Sequence, residues 1–207
     1  MENLELNKWN DKYRGEAYAY GEEANNYLKE KLLKLAPGRI LFPAEGEGRN
    51  AVFAAKQGWE VSAFDISTEG QKKALRLAEK NDVRIDYLLG DLPSLAYQSQ
   101  SFDALAMIYV HLPFSLRKPY HQLLNSYLRR GGMLIFEAFS KNHLAYNAEN
   151  PAVGGPKELS MLFSTDEILK DFEDYDVIEL EEKEVELNEG FGHRGKGSVI
   201  RFLGRKR

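Results

Sequence analysis

The chain contains no cysteine, which removes disulfides, thiolate metal sites and a cysteine nucleophile at once. A basic excess is also missing. The 28 Lys and Arg against 32 Asp and Glu leave a formal charge of −4, and phosphate backbones are bound by net or local positive charge, so no nucleic-acid partner is expected. No uninterrupted apolar run approaches the roughly 18–20 residues that cross a bilayer, so no membrane partner is expected either. The acidic start Met1-Glu2-Asn3-Leu4-Glu5 lacks the apolar core of a secretory signal. Internal repeats, low-complexity stretches, a metal-ligating cluster and an evident Ser-His-Asp set are absent too. What remains is 207 residues, 43% hydrophobic and 29% charged, which reads as a single cytoplasmic domain spanning residues 1–207 with a sizeable core.

The order of elements carries the fold expectation. Residues 25–35 place Tyr27, Leu28, Leu32, Leu33 and Leu35 at helical spacing before Pro37-Gly38. Short apolar runs at 39–42, 59–64, 84–89, 102–110 and 133–139 read as strands, and 50–57, 68–80 and 116–128 read as helices between them. Strand–helix alternation implies right-handed crossovers and a parallel sheet covered on both faces. After a helix at 165–172, residues 175–187 and 197–203 alternate in polarity around the glycine-rich 188–192, as a long antiparallel hairpin does. Residues 142–160, with Pro151, Gly154, Gly155 and Pro156, read as a long irregular insertion. The fold class is therefore α/β: a Rossmann-like, mostly parallel sheet of about seven strands closed by an antiparallel hairpin. Within it, 1–36 reads as an N-terminal lid and helix region, 37–140 as the cofactor-binding core, and 141–207 as the substrate side.

Gly46-Glu47-Gly48-Arg49-Asn50-Ala51 fits G-x-G-x-x-A between a strand and a helix. Glycines there let the backbone turn sharply and approach a ligand. A tight turn with no ligand would use the same residues. Asp65 ends the second strand, 17 residues after Gly48, where a carboxylate accepts hydrogen bonds from ribose hydroxyls. Asp91 ends the third strand, placed for the exocyclic amine of adenine, though each acid alone also suits a turn or a helix N-cap. All three features fall at the carboxyl ends of adjacent strands, where open α/β sheets bind ligands. The ligand is an adenosine-type cofactor, either a nicotinamide dinucleotide or S-adenosylmethionine. Glu45 and Glu47 flank the first glycine and would repel a pyrophosphate, whereas a sulfonium that also carries an ammonium group meets no such penalty.

The run of residues 40–51 with Asp65, Asp91 and Gly131-Gly132 resembles class I S-adenosylmethionine-dependent methyltransferases. Trp9-Asn10-Asp11-Lys12-Tyr13, Tyr20-Gly21, the Glu45–Asn50 loop, His111-Leu112-Pro113 and Gly154-Gly155-Pro156 are similar to the small-molecule branch that includes tellurite-resistance and thiopurine methyltransferases. The resemblance spans nearly the whole chain. It implies S-adenosylmethionine as cofactor, S-adenosylhomocysteine as product and a small-molecule methyl acceptor. It also implies that Trp9, Tyr13 and Tyr20 form a lid, and that Ala44, Glu45, Gly46, Gly48, Asn50, Asp65, Ile66, Asp91, Leu92 and Tyr109 line the cofactor. The class often has an aspartate inside the first strand and a further glycine before Gly46. Here Phe42 and Ala44 stand in those places around Pro43, where the strand must end because proline donates no ladder bond.

Methyl transfer from a sulfonium is an in-line displacement in which the protein supplies position and electrostatics. It needs no general base when the acceptor is a thiolate, a metalloid oxyanion or another ready nucleophile. His111 reads either as an active-site wall after the fourth strand or as a loop histidine capping the helix at Ser115. Arg194 and Arg201 read as an anion-binding pair at the acceptor pocket or as solvated hairpin residues. Their odd spacing sets them on opposite faces of a regular strand, with His193 and Arg201 sharing one, unless Arg194 lies in the turn. Two other functions remain: a nicotinamide-dependent oxidoreductase and a non-catalytic adenosine-binding module.

Overall fold

A computed structural model describes residues 2–207, with side chains from Leu4 onward; Met1, where the expected domain begins, lies outside the described residues. The chain divides into two compact units, residues 1–96 with Glu189–Phe191, and residues 97–188 with 192–207.

The first unit opens with α1 (Glu2–Tyr13) and α2 (Asn26–Leu32), then runs β1 (Arg39–Pro43), α3 (Arg49–Lys56), β2 (Glu60–Asp65), α4 (Thr68–Lys80) and β3 (Asp86–Leu89). Its strands lie in the order β3-β2-β1 and pair in parallel, Arg39 opposite Glu60 through Pro43 opposite Phe64, and Ser62 opposite Asp86 through Asp65 opposite Leu89. Ile40, Leu41, Phe42 and Ala63 are buried, as strands covered on both faces require. Pro43 is the last strand residue, as its missing donor dictates. The start of α4 is set by Ser67, whose hydroxyl accepts the Gly70 amide at 3.0 Å.

Helix α1 is an element that apolar periodicity does not reveal. It docks through a polar side chain: the Asn10 amide oxygen accepts from the Ser67 hydroxyl at 2.8 Å and from the Glu69 amide at 3.3 Å.

The second unit contains β4 (Phe102–Ile108), α5 (Phe114–Tyr127), β5 (Leu128–Phe139), α6 (His143–Glu149), α7 (Thr165–Asp171), β6 (Tyr175–Glu189) and β7 (His193–Lys206), with strands in the order β4-β5-β7-β6. β4 and β5 are parallel, and β5 and β7 antiparallel with Glu137 opposite Arg201. Phe139, Val153, Leu162, Leu187 and Val199 form a core cluster. α7 carries a full capping box between Ser164 and Glu167.

Three differences from the sequence expectation have physical causes. β5 begins at Leu128 rather than Met133, because Gly131 at φ 74° lets an irregular stretch stay in the ladder, with a register shift between Phe102 and Ala104. Residues 142–160 are not wholly irregular: α6 forms, and its Asn147 side chain and His143 ring both bond the Gly154 carbonyl. β6 does not alternate cleanly; Val177 and Ile178 are exposed on a terminal strand whose glutamates discourage edge pairing.

In all, the seven strands, mostly parallel with an antiparallel C-terminal pair and flanking helices, make a Rossmann-like fold.

Candidate active site

The loop after β1 is built from its own acids. Ala44 stands at φ 49°, a left-handed conformation that glycine usually supplies, and Gly46 and Gly48 follow at φ 61° and 85°. A Cβ on Gly48 would lie 2.5 Å from the Ala74 Cβ, so α4 packs directly on the loop. The Glu45 carboxylate accepts the Asn50 and Ala51 amides at 2.9 and 2.8 Å, closing the N-terminus of α3. Burial pushes this carboxyl up to about 7 against those two amides. Asp65 accepts the Gly46 amide at 2.9 Å and the Ser67 amide at 2.8 Å, and burial raises it to about 6. Tyr87 donates its hydroxyl to the Gly46 carbonyl at 2.7 Å.

The N-terminal aromatics gather at the same loop. Tyr13 sits on Gly46, where a Cβ would approach its hydroxyl to 2.7 Å. Trp9 stacks on Tyr13 with centroids 5.6 Å apart. Tyr20 lies between Lys12 and Arg49, whose charged groups stand 4.7 and 5.9 Å from its ring centre. At the end of β3, Gly90 donates to the Asp65 carbonyl at 3.0 Å. Asp91 accepts the Leu92 amide at 2.8 Å and caps the 3-10 turn Leu92–Ser94; Leu92 is fully buried. Ile66 follows Asp65 and contributes a backbone bond to its carboxylate.

In the second unit, Tyr109 follows β4 at φ 55°, a strained conformation for a bulky side chain. Its amide donates to the Glu137 carbonyl at 2.7 Å, and its ring stacks on Phe139 at 4.7 Å. His193 meets both rings edge-on, and His143 stacks on Phe139 at 3.9 Å. Gly154 and Gly155 let the chain pass against this group: a Cβ on either would press on His193, or on Phe139 and His143.

His111 does not cap α5, whose N-cap is Pro113 with no side-chain bond. Its Nε2 accepts the Phe139 amide at 3.3 Å, which fixes the proton on Nδ1, and Nδ1 donates to the Met161 carbonyl at 2.9 Å. Burial lowers its pKa to about 3, so the ring is neutral.

Arg194 lies inside β7 rather than in the turn. Gly195 at φ 110° interrupts regular strand geometry beside it, so counting residues along an ideal strand does not decide which face it takes. Arg201 donates to Glu137 at 2.6 Å.

What the first unit offers is a set of hydrogen-bond acceptors. The amides of Gly46, Asn50 and Ala51 are already engaged by Asp65 and Glu45, so the turn that a pyrophosphate would need is satisfied internally. The carboxylates and carbonyls that remain suit hydroxyls and a positively charged group. A family profile described as a methyltransferase domain matches residues 40–132. The chain is similar in structure to TehB from Haemophilus influenzae, with TM-score 0.71, 19% identity, and coverage of 98% of this chain and 67% of that one. It is also similar to an S-adenosylmethionine-dependent methyltransferase from Anabaena variabilis (TM-score 0.70, 16% identity, coverage 100% and 95%). The third is magnesium protoporphyrin IX methyltransferase from Synechocystis with bound S-adenosylhomocysteine (TM-score 0.70, 17% identity, coverage 99% and 100%). No curated protein matches the chain by sequence.

With the Gly46, Asn50 and Ala51 amides engaged, the loop lacks the free turn that a nicotinamide dinucleotide's pyrophosphate needs. Trp9, Tyr13, Tyr20, Ala44, Glu45, Gly46, Gly48, Asn50 and Asp65 are brought together in the first unit, with Asp91 following at the end of β3; Tyr109 belongs to the second. Sequence reasoning missed several partners. Lys73 was legible as a lysine on the buried stripe of Gly70, Ala74 and Leu77 on α4. Glu137, the partner of the expected Arg201, was legible as a single charge inside the apolar run of β5. Nothing local in the sequence marked Glu189, which pairs with Arg49 at 3.1 Å.

Proposed function

We propose that the protein is an S-adenosylmethionine-dependent methyltransferase that transfers a methyl group to a small-molecule acceptor arriving as a ready nucleophile, a thiol or a metalloid oxyanion being the fitting classes. The observation that carries this reading is His111: both ring nitrogens are occupied and the ring is neutral, so it holds no lone pair for removing a proton from the acceptor. When bound, the cofactor supplies the electrophilic methyl carbon. Asp65 and Glu45 offer it carboxylates, Trp9, Tyr13 and Tyr20 cover it, and Asn50, Gly46, Gly48 and Ala44 shape the loop. Ile66, Asp91, Leu92 and Tyr109 complete the proposed cofactor set. On the acceptor side, His111 shapes the wall, and Arg194 and Arg201 favour an anionic acceptor.

We also propose that residues 1–207 work as a single cytoplasmic domain with no nucleic-acid partner. Among the described residues, no helix is long and apolar enough to cross a membrane. The test is S-adenosylhomocysteine formation across a panel of thiols, metalloid oxyanions, amines and nucleic acid. Product with thiols or oxyanions supports the reading. Product only with amines or nucleic acid overturns it.

A further inference from the structure

Three side chains of the glycine loop, Glu47, Arg49 and Asn50, pair in order with residues 17–25. Glu47 accepts the Ala19 amide at 2.8 Å and the Tyr20 amide at 3.4 Å. Arg49 donates to the Tyr20 carbonyl at 3.2 Å. Asn50 accepts the Asn25 amide at 3.0 Å. Lys73 completes the set from α4, donating 2.8 Å to Glu47 and 2.7 Å to the Ala17 carbonyl.

Glu47 and Lys73 are 4% and 2% exposed, so their charges are compensated by each other and by the backbone of residues 17–20. A buried pair of this kind adds little net stability over apolar packing, yet this one ties the turn of the cofactor loop to both α4 and the N-terminal segment. The hairpin tip closes the same segment from outside. A Cβ on Gly190 would meet the Ala19 carbonyl at 2.4 Å and the Gly21 amide at 2.5 Å.

We propose that Glu47 and Lys73 are positioning residues that couple the order of residues 17–25 to the order of the glycine loop, so that cofactor bound at the loop tightens the N-terminal segment and the segment in turn tightens cofactor binding. Such coupling is reciprocal by thermodynamic necessity. Neither side chain acts on the methyl group. The proposal rests on the cofactor assignment above.

The test has two arms. In the wild-type protein, hydrogen exchange at the Ala19, Tyr20 and Asn25 amides is measured with and without S-adenosylhomocysteine; the product is expected to slow all three. In the paired variant Glu47→Gln/Lys73→Met, which removes both charges together, calorimetry is expected to give a Kd for S-adenosylhomocysteine about tenfold weaker. Its kcat at saturating cofactor stays near wild type while the cofactor KM rises, and the product no longer slows exchange at Ala19 and Tyr20. A merely structural role would lower the melting temperature and leave Kd unchanged. Exchange in the wild type that ignores the product, or a folded paired variant with unchanged Kd, overturns the coupling. If the paired variant does not fold, the wild-type exchange decides alone. Wild-type protein that binds no product overturns the cofactor assignment, and the coupling with it.

Discussion

Asp65 and Gly46 are joined by a 2.9 Å hydrogen bond from the Gly46 amide to the Asp65 carboxylate. The end of β2 thus holds the first glycine of the loop by its backbone, and the same carboxylate anchors the entry to α4 through Ser67. Removing the acceptor leaves the Gly46 and Ser67 amides unsatisfied; such a loss, offset in part by no longer burying a carboxylate, costs about 1–3 kcal/mol. Asp65→Ala is therefore expected to lower unfolding free energy by that amount and to weaken S-adenosylhomocysteine binding. Denaturant titration and calorimetry on the same preparation check both.

Protonation of Glu45 and Asp65 gives cofactor binding a pH dependence. Their folded values, about 7 and about 6, lie above those of the unfolded chain because burial disfavours the anions. The stability these groups contribute is therefore full in acid, below about 4, and is lost as pH rises through 6 and 7. A cationic cofactor prefers the anions, so its affinity runs the other way and weakens as pH falls from 8 to 5.5. Calorimetry across that range measures this. Glu45→Gln, whose amide oxygen still accepts from Asn50 and Ala51, is expected to flatten the upper part of both curves.

Ala44 carries a strained left-handed backbone, φ 49°, where glycine is the usual residue. Left-handed geometry costs an alanine roughly 1–2 kcal/mol, and glycine adds roughly 0.5–1 kcal/mol of chain entropy to the unfolded state. Because the side chain is exposed, little packing is lost. Ala44→Gly is expected to raise stability by about 0.5–1 kcal/mol, read from the shift in denaturation midpoint.

Glu137 is buried opposite Arg201 in the β5–β7 ladder, with a 2.6 Å contact. Breaking a buried pair from one side costs on the order of 3 kcal/mol, whereas removing both charges costs far less. Arg201→Leu is expected to be the more damaging single change, and Glu137→Leu/Arg201→Leu to recover much of the loss. Equal destabilisation of single and double variants would show that the pair does not carry the effect.

The pattern of what was legible follows from range. α4 was bounded correctly at both ends because its cap, Ser67, and its apolar stripe are local. The short buried strands announced themselves in the same way. Helix α1 did not, because Asn10 docks it by hydrogen bonds to residues far along the chain. Likewise the sequence shows Glu45 and Glu47 as charges flanking a glycine but not their partners: Glu45 also closes α3 with one carboxylate oxygen, and Glu47 is taken up by Lys73 and the N-terminal segment. These residues argue against a dinucleotide through their hydrogen bonds more than through repulsion. Asp91 is seen capping a 3-10 turn, a bland use the sequence had equally allowed.

His111 bears on the acceptor. With its pKa near 3, it contributes no ionisation to the rate between pH 6 and 9. At saturating cofactor, kcat/KM for two thiols of different acidity is expected to rise with pH along each thiol's own ionisation. An inflection fixed near neutrality for both would reveal a protein base and overturn the ready-nucleophile reading.

The cofactor assignment has the most direct test in paired calorimetric titrations of the wild-type protein with S-adenosylhomocysteine and with NADH. The engaged amides of Gly46, Asn50 and Ala51 and the acceptors around them predict saturable binding of S-adenosylhomocysteine and none of NADH. Binding of NADH, with no heat from S-adenosylhomocysteine at millimolar concentration, would contradict the account.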